Sequence, residues 1–216
     1  MAHDISLVPG DGIGNEISEA VAKVLDASGA PLIWHLCEAG AETFEKTGTP
    51  LPDKTIASIQ NNKVAIKGPT ATPVGSGFRS INVQLRKQFE LYANYRPVHS
   101  IQGINSRFTD VDLIVIRENM EGLYSGLEHE VTEGVVESIR VITRKGSERI
   151  IRFAFETAKK FNRKKVTAVH KANILKKSDG LFLDIARTIA AEYPDIEYDE
   201  SIIDATAMKL VLNPSQ

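Results

Sequence analysis

Residues 5–14 read Ile-Ser-Leu-Val-Pro-Gly-Asp-Gly-Ile-Gly. A short apolar run that ends at a proline and two glycines is typical of a strand followed by a tight turn. Beyond the turn, apolar residues recur with helical spacing at Ile17, Ala20, Val21 and Val24. This stretch therefore predicts a strand, a turn and a helix, the repeating unit of an α/β fold.

The alternation of strands and helices continues along the chain. Further strands are predicted at 32–36, 64–66, 166–169 and 196–203, and further helices at 52–61, 150–161, 181–191 and 205–212. This order favours a mostly parallel sheet covered by helices. Between Thr132 and Thr143 the pattern changes, and it predicts antiparallel strands or an exposed excursion.

Composition excludes several classes of protein. The 216 residues are 42 % hydrophobic, and 26 basic against 28 acidic residues leave a net charge of −2, which excludes a basic surface for nucleic acid. No apolar run approaches the roughly 20 residues that span a bilayer. The single cysteine, Cys37, is expected to be a buried thiol in a reducing compartment. Since Met1–Asp4 shows no leader, we expect a cytoplasmic protein, although a processed mitochondrial matrix protein would look the same.

A second informative stretch runs from Gly75 to Arg86. A helix that begins near Ser80 would place Asn82 and Arg86 on one face, with Ser80 at the amino-terminal turn. The unpaired N–H groups and the dipole of such a turn favour negative charge. Arg96 and Arg117 close two further extended segments. Because a guanidinium binds a carboxylate through two parallel bonds, three arginines predict a ligand with several carboxylates.

Charged residues also end several predicted strands. Arg117, Lys171 and Asp204 each follow such a segment, and open α/β sheets bind ligands at this edge. The glycines after the first strand fail the dinucleotide fingerprint at Asn15, so a tight turn near a ligand is favoured there. His170 is expected to be a packed structural histidine.

Six stretches carry a family resemblance: Leu7–Gly14, Lys67–Pro69, Arg79–Arg86, Tyr95–Pro97, Arg117–Tyr124 and His170–Asn173. In this order they resemble the isocitrate and isopropylmalate dehydrogenase family. Ser80 with Asn82 resembles the isocitrate-specific pattern, since isopropylmalate enzymes carry a leucine-rich segment there. The region from Glu118 to Glu130 looks more like the NAD-linked isocitrate enzymes.

The resemblance implies an architecture and an assembly. It implies an α/β fold of this family with a large sheet domain, of which residues 1–96 would be the amino-terminal part. Residues 97–216 would form an incomplete small α/β domain with an antiparallel excursion at about 122–145 that serves dimerisation. In the family, Lys171 and Asp204 act in the partner subunit's site, which implies a homodimer with shared sites.

The resemblance also assigns roles to residues. Those implied to bind the substrate carboxylates are Ser80, Asn82, Arg86, Arg96 and Arg117. Tyr124 and Lys171 would handle protons, and Asp204 would ligate Mg²⁺ or Mn²⁺. The positions implied to contact NAD, or NADP, are Ile13, Thr72, Asn82 and Asn173. The implied reaction is oxidative decarboxylation of isocitrate to 2-oxoglutarate, a step of the tricarboxylic acid cycle.

One departure from the family pattern limits these expectations. After the segment that holds Asp204, family members continue with a strand, a D-x-x-x-D helix that supplies two metal carboxylates, and a loop that binds adenosine. None of these follows Asp204 within the 216 residues. The resemblance therefore implies a truncated fold, and we expect this chain alone to be inactive. Two alternatives stay open: a noncatalytic regulatory subunit of the same fold, and a homoisocitrate or isopropylmalate type of dehydrogenase. The presence of Tyr124, Lys171 and Asp204 argues against the first.

Overall fold

A computed structural model describes residues 2–73 and 77–214. Gly75 and Ser76, at the start of the predicted anion-binding stretch, lie outside the described residues, as do the last two residues of the chain. No helix within the described ranges is both long enough and apolar enough to cross a membrane.

The chain divides into two compact units between Phe89 and Glu90. The predicted domain boundary at 96/97 concerns the complete family fold and stays a prediction. In the first unit the described residues form β1 His3–Val8, α1 Gly14–Ala27, β2 Leu32–Leu36, α2 Ala41–Thr47, α3 Asp53–Asn62, β3 Ala65–Lys67 and α4 Ile81–Gln88.

The strands of the first unit form a parallel sheet in the order β2-β1-β3. Ile5 lies opposite Trp34, and Leu7 lies opposite Ile66. The predicted strand, turn and helix are therefore confirmed, and the sheet is built from helical crossovers as the alternation indicated. Helix α2 was not predicted, because its seven residues are too few to establish a periodic pattern.

The core of the first unit joins the centre of the sheet to α4. Val8 and Ile81 are fully buried, and Leu85 and Cys37 lie in the same apolar cluster. The expected buried state of Cys37 is confirmed. Because Ile81 and Leu85 stand one helical turn apart, α4 packs one stripe inward and leaves an adjacent face to other contacts.

The second unit holds the remaining elements. They are β4 Ala93–His99, β5 Asp112–Glu118, β6 Gly122–Thr132, β7 Val135–Val141, α5 Arg144–Lys160, β8 Lys165–His170, α6 Ser178–Ala190, β9 Glu197–Ile202 and α7 Ile203–Leu212. The strands β8 and β9 are parallel, whereas β4 pairs with β5 and β6 pairs with β7 in antiparallel fashion.

The antiparallel pairing of β4 with β5 corrects the prediction of a mostly parallel sheet in this region. The link from Ser100 to Val111 contains no helix, and a parallel pair requires a crossover that usually contains one. The prediction of antiparallel strands near 132–143 is confirmed by the β6–β7 hairpin. The α/β fold class is likewise confirmed.

The core of the second unit lies between α5, α6 and β8. Phe155 is fully buried, and Ile151, Ala168 and Leu183 belong to the same cluster. Helix α5 begins at Arg144, six residues before the predicted start. Thr143 caps it, since the Gly146 N–H donates to Thr143 Oγ1 at 3.0 Å, and the first turn carries no apolar residue that a periodic pattern could register.

Candidate functional site

The turn after β1 is braced by the carboxylate of Asp11. Its Oδ1 accepts a hydrogen bond from the Ala41 N–H at 2.7 Å, and its Oδ2 accepts one from the Ala71 N–H at 2.7 Å. Gly40 has φ 132°, and a Cβ at that position would overlap the Asp11 carboxylate. Asp11 thus joins the start of α2 to the loop after β3, a role that sequence reasoning missed because both partners are backbone groups distant in sequence.

Lys67 ends β3 beside this brace. Its Nζ donates to the Gly68 carbonyl oxygen at 2.6 Å and to Thr70 Oγ1 at 3.1 Å. Burial lowers the pKa of the Lys67 ammonium, the Asp11 carboxylate opposes that shift, and Arg86 adds to it. The ammonium group at the end of β3 therefore interacts electrostatically with the Arg86 guanidinium in the last turn of α4.

Helix α4 begins where the sequence predicts, with Ser80 as its N-cap residue. The Ser80 side chain makes no capping hydrogen bond, so its hydroxyl is available to a ligand. Asn82 and Arg86 are half-buried and stand one turn apart, next to the inward stripe of Ile81 and Leu85. This places three of the predicted substrate-binding side chains along α4 in the first unit, from its N-cap to its last turn.

The predicted nucleotide-contacting residues of the first unit lie on exposed segments. Ile13 is 66 % exposed and immediately precedes α1, and Thr72 is exposed in the loop that Asp11 holds. Asn82 belongs to the α4 group. Contacts among the described residues leave Ile13 and Thr72 open to solvent, where a ligand can reach them.

In the second unit, Arg96 and Arg117 lie on neighbouring strands. Arg96 is in the middle of β4, so the expectation that it closes an extended segment is wrong; the strand continues through Pro97 to His99 because its partner β5 continues beside it. Arg117 is opposite Asn94. Side chains two residues apart on a strand lie on the same face, so Arg96 is on the face that carries Asn94 and its partner Arg117. The two arginines are therefore diagonal neighbours, at a spacing of about 7–8 Å.

Both arginines are held by asparagine side chains. Arg96 Nε donates to Asn94 Oδ1 at 3.0 Å, and Arg117 Nη2 donates to Asn119 Oδ1 at 3.1 Å. The Arg117 guanidinium also lies 5.4 Å from the centre of the Tyr124 ring. The structure thus brings together a predicted carboxylate-binding arginine and the predicted proton donor, and buried Asn119, which supports the arginine, was missed.

The ends of β8 and β9 bring Lys171 and Asp204 together. His170 pairs with Ile202 at the last position of the β8–β9 register. Just beyond this pair, Lys171 Nζ and Asp204 Oδ2 form a direct ion pair. Asp204 lies in the first turn of α7 rather than at a strand end, because β9 stops at Ile202. Exposed Asn173 follows in the turn after β8.

Two other features surround Lys171. The Asp179 carboxylate accepts a hydrogen bond from the Lys171 main-chain N–H at 2.6 Å, and sequence reasoning gave Asp179 no role. The one sequence signal for Asp179 is its place in the first turn of α6, where an acidic side chain is favoured by the helix dipole. His170 is half-buried, and its Nδ1 accepts from the Ala172 N–H at 3.0 Å, which agrees with a structural histidine.

Comparison with known proteins gives the chain its family. The sequence model described as "Isocitrate/isopropylmalate dehydrogenase" matches residues 4–216. The chain belongs to this family. A mitochondrial relative from Arabidopsis thaliana, named isocitrate dehydrogenase [NAD] catalytic subunit 5, is 51 % identical over 97 % of this chain. A chloroplastic 3-isopropylmalate dehydrogenase from Solanum tuberosum is 49 % identical over 97 % of the chain.

A solved structure supports the same family and fold. The isocitrate dehydrogenase from Methylococcus capsulatus is 54 % identical, with a TM-score of 0.93, over 98 % of this chain and 64 % of the other. The chain spans 56 % of the Arabidopsis relative and 59 % of the potato relative. The family resemblance predicted from the motifs is confirmed, and the family is one of oxidoreductases.

Proposed function

We propose that the protein to which this chain belongs oxidises and decarboxylates isocitrate to 2-oxoglutarate and reduces NAD. The observation that supports this most is that each of two candidate proton-handling side chains of the second unit lies against a charged side chain. Arg117 lies against Tyr124, and Lys171 contacts Asp204. A substrate with several carboxylates and a hydroxyl suits such a set.

In this proposal the arginines hold carboxylates. Arg96 and Arg117 present guanidinium groups on one face of a two-stranded ribbon, and each is oriented by an asparagine. In the first unit, Ser80, Asn82 and Arg86 offer a hydroxyl, an amide and a guanidinium along α4. Each charge-assisted contact orients the substrate as well as binding it.

Two side chains would move protons. Lys171 Nζ takes the proton from the substrate hydroxyl, directly or through water, and NAD when bound accepts the hydride. The resulting β-keto acid loses carbon dioxide. Tyr124 Oη then returns a proton to the carbon that carried the carboxylate, which offsets the hydroxyl proton taken by Lys171. Isocitrate and NAD⁺ thus give 2-oxoglutarate, carbon dioxide and NADH with no net proton released.

The described residues supply only part of the metal site that the family resemblance implies. Among the described residues, no cluster of three histidine, cysteine, aspartate or glutamate side chains is placed to hold a metal ion. Asp204 offers one carboxylate, whereas Mg²⁺ and Mn²⁺ prefer about six oxygen ligands. The residues present do not make a metal site by themselves, and we expect this chain alone to be inactive.

Isopropylmalate is the second candidate substrate, because the potato relative carries that name at nearly the same identity. Ser80 and Asn82 favour isocitrate, since a hydroxyl and an amide match a carboxylate better than an apolar side chain. NAD is preferred over NADP on the name of the Arabidopsis relative. That name also favours a mitochondrial location over the cytoplasm, and it favours a subunit of a larger assembly beside the homodimer implied by the resemblance.

The proposal is tested by assaying the full-length protein with isocitrate and with 3-isopropylmalate, each with NAD and NADP. We expect isocitrate to be oxidised faster. Arg96→Ala should lower kcat/KM by roughly 100-fold, since a charge-assisted contact is worth about 1.5–3 kcal/mol. Arg107→Ala is the matched control, because Arg107 lies over the ring of Phe108 and has no proposed role.

A second pair of variants tests the proton chemistry. Lys171→Met should lower kcat, whereas Lys176→Met, which removes an exposed lysine five residues later, should not. Turnover of isopropylmalate equal to that of isocitrate would contradict the assigned substrate. Near-native kcat in Lys171→Met would contradict the role of that lysine while leaving the substrate open.

A further inference from the structure

Asp179 is a buried carboxylate that the proposed reaction does not use. Its side chain is 6 % exposed, and it lies in the first turn of α6. Oδ1 accepts from Arg140 Nη1, and Oδ2 accepts from the Lys171 N–H at 2.6 Å. An ionised carboxylate is costly to bury unless its oxygens are paired, and here each oxygen has a partner.

The two partners of Asp179 come from different elements. Lys171 directly follows β8, where the pairing of His170 with Ile202 ends the ladder. The Lys171 N–H therefore has no strand to donate to, and Asp179 supplies the acceptor. Arg140 belongs to β7, in the hairpin formed by Gly122–Val141. One carboxylate thus joins the hairpin to the main chain that carries the Lys171 side chain.

We propose that Asp179 is a positioning residue: it fixes the Lys171 main chain and, through Arg140, makes the placement of Lys171 depend on the hairpin. The Lys171 side chain extends from this anchored backbone to Asp204. A shift of the hairpin that moves Arg140 would displace Asp179, and Asp179 would in turn displace the Lys171 main chain. What Lys171 does in catalysis rests on the proposed function, whereas the anchoring of its main chain does not.

Amide hydrogen exchange of the whole protein tests the anchoring without any substrate. Asp179→Ala should accelerate exchange of the Lys171 amide by about tenfold or more, because it removes a charge-assisted acceptor. Arg140→Met should accelerate exchange in both the hairpin and the Lys171 segment. Asp184→Asn is the matched control, since Asp184 is on the same helix, is 76 % exposed and pairs with Arg187 at 3.3 Å.

Kinetics separate positioning from general stability. Asp179→Ala should lower kcat for isocitrate by about tenfold or more while KM stays within about threefold. Asp179→Asn, which keeps an oxygen acceptor for the Lys171 N–H, should restore most of kcat. If Asp179→Ala fails to fold, Asp179→Asn and Arg140→Met still test the inference, because exchange of the Lys171 amide can be measured in both.

Three outcomes would overturn the inference. They are equal exchange at Lys171 in Asp179→Ala and Asp184→Asn, a kcat of Asp179→Asn as low as that of the alanine variant, and unchanged exchange at Lys171 in Arg140→Met. A parent protein that does not oxidise isocitrate would instead contradict the proposed function, and the exchange results alone would then decide the anchoring.

Discussion

In the second unit, the helical layer buries its large apolar side chains, whereas the β6–β7 hairpin leaves its apolar side chains exposed. In α5, Phe155 is fully buried and stacks on Tyr193 at a ring distance of 5.0 Å. In the β6–β7 hairpin, Leu123 is 64 % exposed and Val136 is 67 % exposed. An amphipathic helix can pack its apolar stripe on a sheet, whereas a two-stranded ribbon has no layer of its own to cover it.

The hairpin is instead attached by polar contacts at its base. The Glu121 carboxylate accepts hydrogen bonds from the N–H and the Oγ1 of Thr143, and Arg140 binds Asp179. Hydrogen bonds and ion pairs depend on direction, while apolar burial does not. The helical layer therefore contains most of the buried apolar side chains of the unit, whereas specific polar contacts orient the hairpin.

The largest effect should come from the helical core. Phe155→Ala should lower the free energy of unfolding by about 3–5 kcal/mol, because it removes a fully buried ring and leaves a cavity. Phe161→Ala, at a half-exposed site at the end of the same helix, is the control and should cost much less. Urea unfolding measures both, and equal losses would refute the assignment of the core.

Two glycines test how closely the hairpin base packs on α5. A Cβ at Gly146 would overlap the Glu121 carboxylate, which hydrogen bonds from the Thr143 N–H and hydroxyl hold in place, so Gly146→Ala should destabilise the protein by about 1–3 kcal/mol. A Cβ at Gly180 in α6 would meet no atom within 4 Å, so Gly180→Ala should stabilise it by about 0.4–1 kcal/mol. Thermal unfolding compares the two, and the same sign for both would contradict this packing.

The exposed face of the hairpin should tolerate polar substitution. Val136→Ser should change the free energy of unfolding by no more than about 0.5 kcal/mol, because the side chain remains in contact with water after folding. Denaturant unfolding at several protein concentrations provides the measurement. A loss above about 1.5 kcal/mol that grows with concentration would indicate that a second copy covers this face.

The smallest effect should come from an exposed ion pair. Both Arg187 Nε and Nη2 donate to Glu200 at 2.8 Å, and this hydrogen bonding lowers the pKa of Glu200 below its usual value. A carboxyl whose pKa is lower in the folded state stabilises the protein above its unfolded pKa, and the effect fades as pH falls through the folded value. Arg187→Gln should therefore lower the Tm by about 1 °C at most at pH 7 and by less at pH about 3, which is below the usual pKa of a glutamate. A loss of equal size at both pH values would contradict this linkage.

Several elements could be predicted from residues close together in sequence. The apolar run before Pro9 predicts β1, and Ser80 followed by the apolar residues of α4 predicts the start of that helix. Helix α2 and the first turn of α5 were missed, since neither has enough apolar residues to reveal a period. The antiparallel pairing of β4 with β5 depends on contacts across the loop, which residue patterns do not encode.

The same division applies to the candidate site. Sequence alone was enough to determine the family, the fold class and the candidate residues, because motifs such as Arg79–Arg86 and His170–Asn173 are local. Only the tertiary structure brings Arg117 to Tyr124, Lys171 to Asp204, and Asp179 to both Arg140 and the Lys171 main chain. These contacts follow from strand register and from burial of a charged group, which are properties of the packed chain rather than of any segment.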